Sequence, residues 1–457
     1  MASTSSIKAR LIVMNFLEFA IWGAYLISMG MFLGSHGLGD YVFWFYTVQG
    51  LVSIIMPALM GIVADRWIPA QITLSLCQLI AGIMMIVTGI VADNQLASTG
   101  HLEFGALFAV YTVSVAFYMP TLGLSNSVAF NSLNQYGLDT VKHFPPIRVF
   151  GTVGFIAAEL LVNFVSIGGK AIQFTSAQFY SSGIIGCIMA LYCLTLPKCP
   201  CKRGESKSLS DALGLSAFKL FKSRKMAIFF IFSMLLGVSL QITNSYGSSF
   251  INAFAGLQEY AHGFMDGWWA NNPTFLISIS QCAEALCILM IPFCLKKFGI
   301  KGVMLIAMFA WVFRFGFFAI GDTNFPGILA LIASCLVYGV AFDFFNVSGG
   351  LYVDKQTSES ERSSAQGLFM LMTNGIGASL GTFIAGKLVV NDLVYAPGLT
   401  PEQQMSGWHE SWAIFAGYAL LVAVLFWIIF KEKEHNTKVT ETVEAGVNQN
   451  AGGMVED

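Results

Sequence analysis

Between residues 61 and 67 the chain reads Gly61-Ile62-Val63-Ala64-Asp65-Arg66-Trp67. An acid and a base stand side by side where one apolar run, 41–63, ends, and the next run, 70–92, begins almost at once. Each run is long enough to cross ~30 Å of hydrocarbon as a helix, which takes about 20 residues. Charges confined to a short connection between uncharged runs mark a polytopic membrane protein. Read alone, the connection is an ordinary turn with solvated charges or a built junction between helix ends. Working outward, comparable runs lie near 9–34, 104–130, 147–168, 174–196, 226–252, 270–295, 302–321, 326–350, 364–391 and 411–430. The count is twelve.

Composition agrees. Of 457 residues, 56% are hydrophobic and only 11% charged, against roughly 45–50% and about 25% in soluble domains. That excludes a soluble enzyme, a nucleic-acid-binding protein and a disordered scaffold. The nine Cys mostly stand singly in apolar runs, where Cys acts as a small hydrophobe. Cys199 and Cys201 lack the further ligands that a metal site needs. The six His fall at span ends, in loops or in the tail, so an enzyme embedded in the membrane has no evident base. A receptor that binds without transporting remains a separate class.

Lys and Arg set the orientation. With the N-terminus inside, 20 of the 24 basic residues fall in cytoplasmic connections or the termini. Both termini are then cytoplasmic. The longest cytoplasmic connection follows the sixth run and divides the chain 6 + 6. The expected units are a six-helix bundle 1–197, a linker 198–225, a second bundle 226–432 and a polar, disordered tail 433–457. The linker segment Leu209–Lys222 alternates apolar and basic residues, as an interfacial helix does.

Polar groups inside the spans carry the chemistry, since a charge at the bilayer midplane costs at least ~2.5–3.5 kcal/mol. Arg148, Thr152 and Phe155 follow Pro145-Pro146 at i, i+4 and i+7, one helix face. They either hold a flat polar solute or are a snorkelling base and a self-bonded hydroxyl. Gln241 and Asn244 lie one turn apart, and so do Gln281 and Glu284. Amides offer donors and acceptors together, and a carboxylate accepts two bonds from a vicinal diol; helix–helix glue is the plainer alternative. Tyr338, Phe342 and Phe345 form an aromatic stripe with Asp343 beside it, deep in an apolar run. Burial disfavours a charged carboxyl, which suits a group that takes and releases a proton. Glu18, Glu159, Arg314 and Lys387 are further intramembrane charges. Arg314 and Lys387 are expected to pair with carboxylates or reach an interface, and Glu159 to line the cavity mouth.

Longer strings carry a resemblance. Phe144–Arg148 (FPPIR), Gly151–Phe155 (GTVGF), Met226–Gly237 (MAIFFIFSMLLG), Leu240–Asn244 (LQITN), Tyr338–Asn346 (YGVAFDFFN), Ser364–Gly375 (SAQGLFMLMTNG) and Trp412–Tyr418 (WAIFAGY) closely resemble the bacterial nucleoside:proton symporters of the major facilitator superfamily. The likeness spans about residues 8–432. It implies an all-α fold of twelve transmembrane helices with a nucleoside site between two bundles. The implied contacts are Arg148, Thr152, Phe155, Gln241, Asn244, Gln281, Glu284, Tyr338 and Phe342, with Asp343, or Glu284, in proton coupling. The Gly61–Trp67 connection resembles the superfamily's signature loop, in which Gly61 allows close helix approach and Asp65 and Arg66 latch helix ends. The implied partners are purine and pyrimidine nucleosides, protons and the lipid bilayer, with no nucleic acid, no metal and no cofactor beyond the co-transported proton. A monomer is expected. A sugar or oligosaccharide symporter of the same fold is the alternative, because hydroxyls are recognised by the same groups. Either reading requires a water-accessible pocket at mid-depth, walled by Arg148, Gln241, Gln281, Glu284 and Asp343.

Overall fold

In hydrocarbon every backbone N–H and C=O must bond inside its own segment, and the helix achieves that. The computed structural model describes residues 4–199, 215–257, 266–357 and 362–430. The helices are α1 (Thr4–Gly23), α2 (Met29–Leu33), α3 (Val42–Arg66), α4 (Ala70–Thr99), α5 (Phe104–Gln135), α6 (Thr140–Phe164) and α7 (Ala177–Cys193). After the linker come α8 (Arg224–Leu240), α9 (Ile242–Ala253), α10 (Asp266–Asn271), α11 (Pro273–Ile320), α12 (Gly327–Gln356), α13 (Arg362–Met370), α14 (Ala378–Ala385), α15 (Asn391–Leu393) and α16 (Pro401–Ile429). Among the described residues, nine helices are long and apolar enough to cross a membrane, and two shorter apolar ones cover Ala177–Cys193 and Pro273–Ile288. Leu191, Leu286, Phe293 and Trp427 stand exposed, an apolar outer surface of the kind that meets lipid. The tail 433–457 and residues 209–214 of the linker's expected interfacial stretch lie outside the described residues, while the rest of that stretch, Leu215–Lys222, winds as a 3-10 helix.

Several runs are not single rods. The first breaks after Gly23 into a turn before α2. The run 226–252 breaks at Gln241, whose carbonyl accepts both the Ser245 N–H at 2.9 Å and the Ser245 hydroxyl at 2.8 Å. The helical stretch Pro273–Ile320 is two helices joined at Gly299, where φ is +68°; glycine takes that left-handed angle without a Cβ clash. Between α13 and α14, Leu371–Gly377 winds as a π-helix, a feature often found at functional sites. The helix α16 opens on a capping box, Thr400 and Gln403 each bonding the other's backbone N–H, with Pro401 at its first turn.

Small residues set the closest crossings. The helices α1 and α6 pack along each other. A Cβ on Gly154 would stand 2.1 Å from the Phe16 carbonyl oxygen, and one on Gly23 would stand 2.3 Å from that of Phe155. Only glycine fits such backbone contact. Around Gly61, by contrast, there is open space within 4 Å, so no close helix approach uses it in this conformation. The side chains of Asp65 and Arg66 lie outside the described residues.

The earlier helices α1–α7 meet the later ones along a seam of α6 on α11, α2 on α9 and α3 on α14. Hydrogen bonds crossing it gather towards one end. The Asn163 amide donates to Asn272 Oδ1 at 2.8 Å, and its oxygen accepts the Phe275 N–H at 3.2 Å. The Thr274 hydroxyl donates to Gln173 Oε1 at 2.6 Å, and Asn391 donates to the Asp40 carbonyl at 2.8 Å. Nearer mid-depth, the Ser248 hydroxyl donates to the Ile27 carbonyl at 2.5 Å. Along α3, residues 45–50 at this end are buried, whereas 51–63 towards the other end are half-buried or exposed. The molecule is shut at the Asn163 end and loosens towards Gly61.

Overpacking a tight crossing costs about 1–3 kcal/mol. Gly154→Val is expected to lower the unfolding temperature of the purified protein, while Gly417→Ala, whose Cβ meets nothing within 4 Å, leaves it unchanged. Equal melting of the two variants would contradict this packing.

Candidate functional site

Midway along the seam, α6 and α1 face α11 and α12. Pro145 and Pro146 lie inside α6, beyond its opening turn, where each removes an i→i−4 hydrogen bond, and Arg148 follows half-buried. Its guanidinium lies 3.9 Å from the centre of the Phe19 ring on α1, a cation–π contact. The acids whose charges it feels are Glu284 and Asp343, from across the seam, and Glu18, from α1. One turn on, Thr152 is half-buried, and Phe155 is buried against Trp22, edge-on with centroids 6.3 Å apart.

The later helices supply the opposite wall. At the break between α8 and α9, the Asn244 amide donates to Gln241 Oε1 at 2.8 Å. On α11, Gln281 is buried with its Oε1 unpartnered among the described residues, and Glu284 is half-buried. A Cβ on Gly339 would stand 2.7 Å from the backbone at Ala283 and Glu284, so α12 presses on α11 and carries its aromatic residues to Glu284. The Tyr338 and Phe342 rings stack with centroids 5.7 Å apart and planes only 7° apart. Asp343 is buried, and its Oδ2 lacks a protein partner among the described residues. A small neighbouring cavity, with space for about one water, is lined by Gly237, Leu240, Phe342, Phe345, Asn346 and Thr373, among others.

Arg148, Glu284, Asp343 and the Tyr338–Phe342 stack thus come together, with the Gln241–Asn244 pair at a helix break. Phe345 lines the same small cavity as Phe342, and its ring lies 6.1 Å from that of Phe369. Among the described residues, Arg314 neither pairs with a carboxylate nor reaches an interface. Buried, it donates to Ser280 Oγ at 3.1 Å and the Ser334 carbonyl at 2.8 Å, and lies 4.9 Å from the Phe318 and Tyr338 ring centres. It braces Tyr338 from behind. Lys387 is exposed. Cys199 is buried, its N–H bonded to Gln71 Oε1 at 2.9 Å, and burial pushes its thiol up to about 11; Cys201 lies outside the described residues.

Several supporting residues escaped the sequence reading. Glu18 accepts bonds from Gln78 Nε2 at 2.8 Å and from the Thr121 hydroxyl at 2.5 Å, and the Tyr118 hydroxyl bonds its backbone carbonyl. Phe19, Gln78 and Thr121 carry no one-helix pattern that would mark them, since their partners lie on other helices. The signal for Phe19 was its place next to Glu18.

The family model described as nucleoside H+ symporter matches residues 5–435. The chain belongs to the nucleoside H+ symporter family. Within it, the chain is 43% identical over 437 residues to a xanthosine permease of Escherichia coli (strain K12), covering 95% of this chain and 98% of that one. It is 40% identical over 431 residues to the nucleoside permease NupG of the same organism, covering 94% and 97%. The crystal structure of the nucleoside transporter NupG superposes with a TM-score of 0.82 at 39% identity, over 93% of this chain and 100% of that one. A D-xylose-proton symporter superposes with a TM-score of 0.66 at 14% identity, over 94% and 100%, a likeness of fold alone. Members of the family are transporters rather than enzymes, and this one is a multi-pass membrane protein.

Removing one partner of a buried hydrogen-bonded group costs about 1–3 kcal/mol. Thr121→Val, which strips one donor from Glu18, is expected to lower the unfolding temperature measurably. An unchanged melt would show that the cluster does not hold Glu18.

Proposed function

We propose that the protein imports nucleosides together with protons by alternating access, its two halves rocking about the mid-depth site. The observation that carries this reading is the meeting of Arg148 with Glu284 and Asp343 beside the stacked Tyr338–Phe342 pair, in a chain of the nucleoside H+ symporter family. The fold is read as twelve spans in a 6 + 6 arrangement. Gly299 divides α11 into two spans, and the opening span of each proposed half, α1–α2 and α8–α9, is broken in mid-course. Substrate contacts are assigned to Arg148, Thr152, Phe155, Gln241, Asn244, Gln281, Glu284, Tyr338 and Phe342. Amides and Glu284 take the ribose hydroxyls; the aromatic rings offer the base a ring-on-ring stack, for which a free sugar has no second ring system.

With basic residues in cytoplasmic connections and both termini inside, the shut Asn163 end is external and the looser Gly61 end cytoplasmic. The conformation is then inward-facing, in the inner membrane, with the Gly61–Asp65–Arg66 latch disengaged. A monomer suffices, since both walls of the site come from one chain.

Asp343, with Glu284, is assigned the coupling proton. Neutralising Asp343 removes an anion that competes for Arg148, freeing that cation for substrate and letting the loaded carrier reorient. The energetics suffice: one charge moved through 100 mV is worth ~2.3 kcal/mol, and ~1.4 kcal/mol is tenfold in concentration.

Asp343→Asn is expected to abolish uphill uridine uptake driven by a pH gradient in proteoliposomes while leaving uridine counterflow measurable. A variant that still concentrates uridine would remove Asp343 from coupling. Stacking is worth about 0.5–1.5 kcal/mol beyond burial, so Phe342→Ala is expected to raise half-saturation about 2- to 13-fold for purine and pyrimidine nucleosides alike. An effect confined to one class would contradict generic stacking.

A further inference from the structure

Glu159 takes no part in the site just described. It lies on α6 one turn before Asn163, whose amide joins the two walls of the external seam. Its side chain is fully buried, and neither carboxyl oxygen has a hydrogen-bond partner among the described residues. An ionised carboxylate in such a place has lost its hydration and gained nothing for it. The groups that sense its charge are Glu284 and Cys282 on α11 and Tyr338 on α12. None is a cation, and Glu284 has the same sign. Towards α1, the α6 face packs Ala158 and Val162 with Ala20 and Ala24. On its own helix Arg148 stands eleven residues back, about 16 Å along the axis, and is shared by Glu284, Glu18 and Asp343.

The geometry points to Glu159 as a proton-binding site separate from Asp343 and Glu284, filled from external water while the seam is open, and the seam shuts only over the neutral acid. The step is simple acid–base chemistry: hydronium gives a proton to a hydrated carboxylate, an O–H bond forms, and water is left. When the seam reopens, the acid can return that proton to external water. External acidity then biases the carrier towards its inward-facing form, independently of the proton that drives uptake. The inference rests on the proposed reading only for which face is external.

Infrared spectroscopy of the reconstituted protein at neutral pH tests it, because a protonated carboxyl shows its own C=O band. The expected result is a band component present in the native protein, absent in Glu159→Gln and shifted in Glu159→Asp, while Asp343→Asn leaves it in place. Identical spectra for the native protein and Glu159→Gln would overturn the inference; if Glu159→Gln does not fold, an unshifted band in Glu159→Asp does so. In the same liposomes, uridine counterflow should depend less on external pH in Glu159→Gln than in the native protein, the remaining dependence belonging to Asp343 and Glu284. Absence of counterflow in the native protein would instead sink the nucleoside reading, and the band would still decide the fate of Glu159.

Discussion

A guanidinium among apolar helices needs compensating charge or a ring face, and Arg148 has such groups on both sides of the seam. Phe19 lies flat beneath it and Glu18 is near on the same side, while Glu284 and Asp343 face it from the later helices. Few anchors are so dependent on the two walls staying in register. When the seam shifts, Glu18 and Phe19 travel with Arg148, and the acids across from it do not. A substrate or a proton that changes the charge across the gap therefore changes the cost of moving, and only such differential interaction can shift a conformational equilibrium.

The surrounding architecture keeps that exchange local. Tight glycine crossings tie α1 to α6 and α12 to α11, so each wall moves as a unit. The Gln78–Thr121 cluster holds Glu18 in its own wall, and Arg314 fixes Tyr338 in the other. Neutral amides and hydroxyls, by contrast, make the bonds across the shut end. Such bonds are worth about 0.5–1.5 kcal/mol each, weak enough to be undone in every cycle.

Much of this was legible from spacing. The runs 41–63 and 70–92 fall within α3 and α4, and the i, i+4, i+7 pattern put Arg148, Thr152 and Phe155 on one helix. Periodicity reports one helix at a time, which is why its errors lie where helices meet. It could not tell that the run 226–252 breaks at Gln241, where one carbonyl takes both the N–H and the hydroxyl of Ser245. It grouped Phe345 with Tyr338 and Phe342 but could not show the Phe369 ring 6.1 Å from Phe345. It had no means of pairing Asn163 with Asn272, more than a hundred residues apart, or of seeing Ser280 and Ser334 satisfy Arg314. The family likeness named the site residues; the supporting groups came only from the assembled structure.

The most direct measurement follows protons rather than substrate. Proteoliposomes loaded with a pH-sensitive dye, with no gradient imposed, receive external uridine. The account predicts that the lumen acidifies as uridine enters, and that an equal concentration of ribose or xylose does nothing. Uridine entry without acidification would contradict coupled transport.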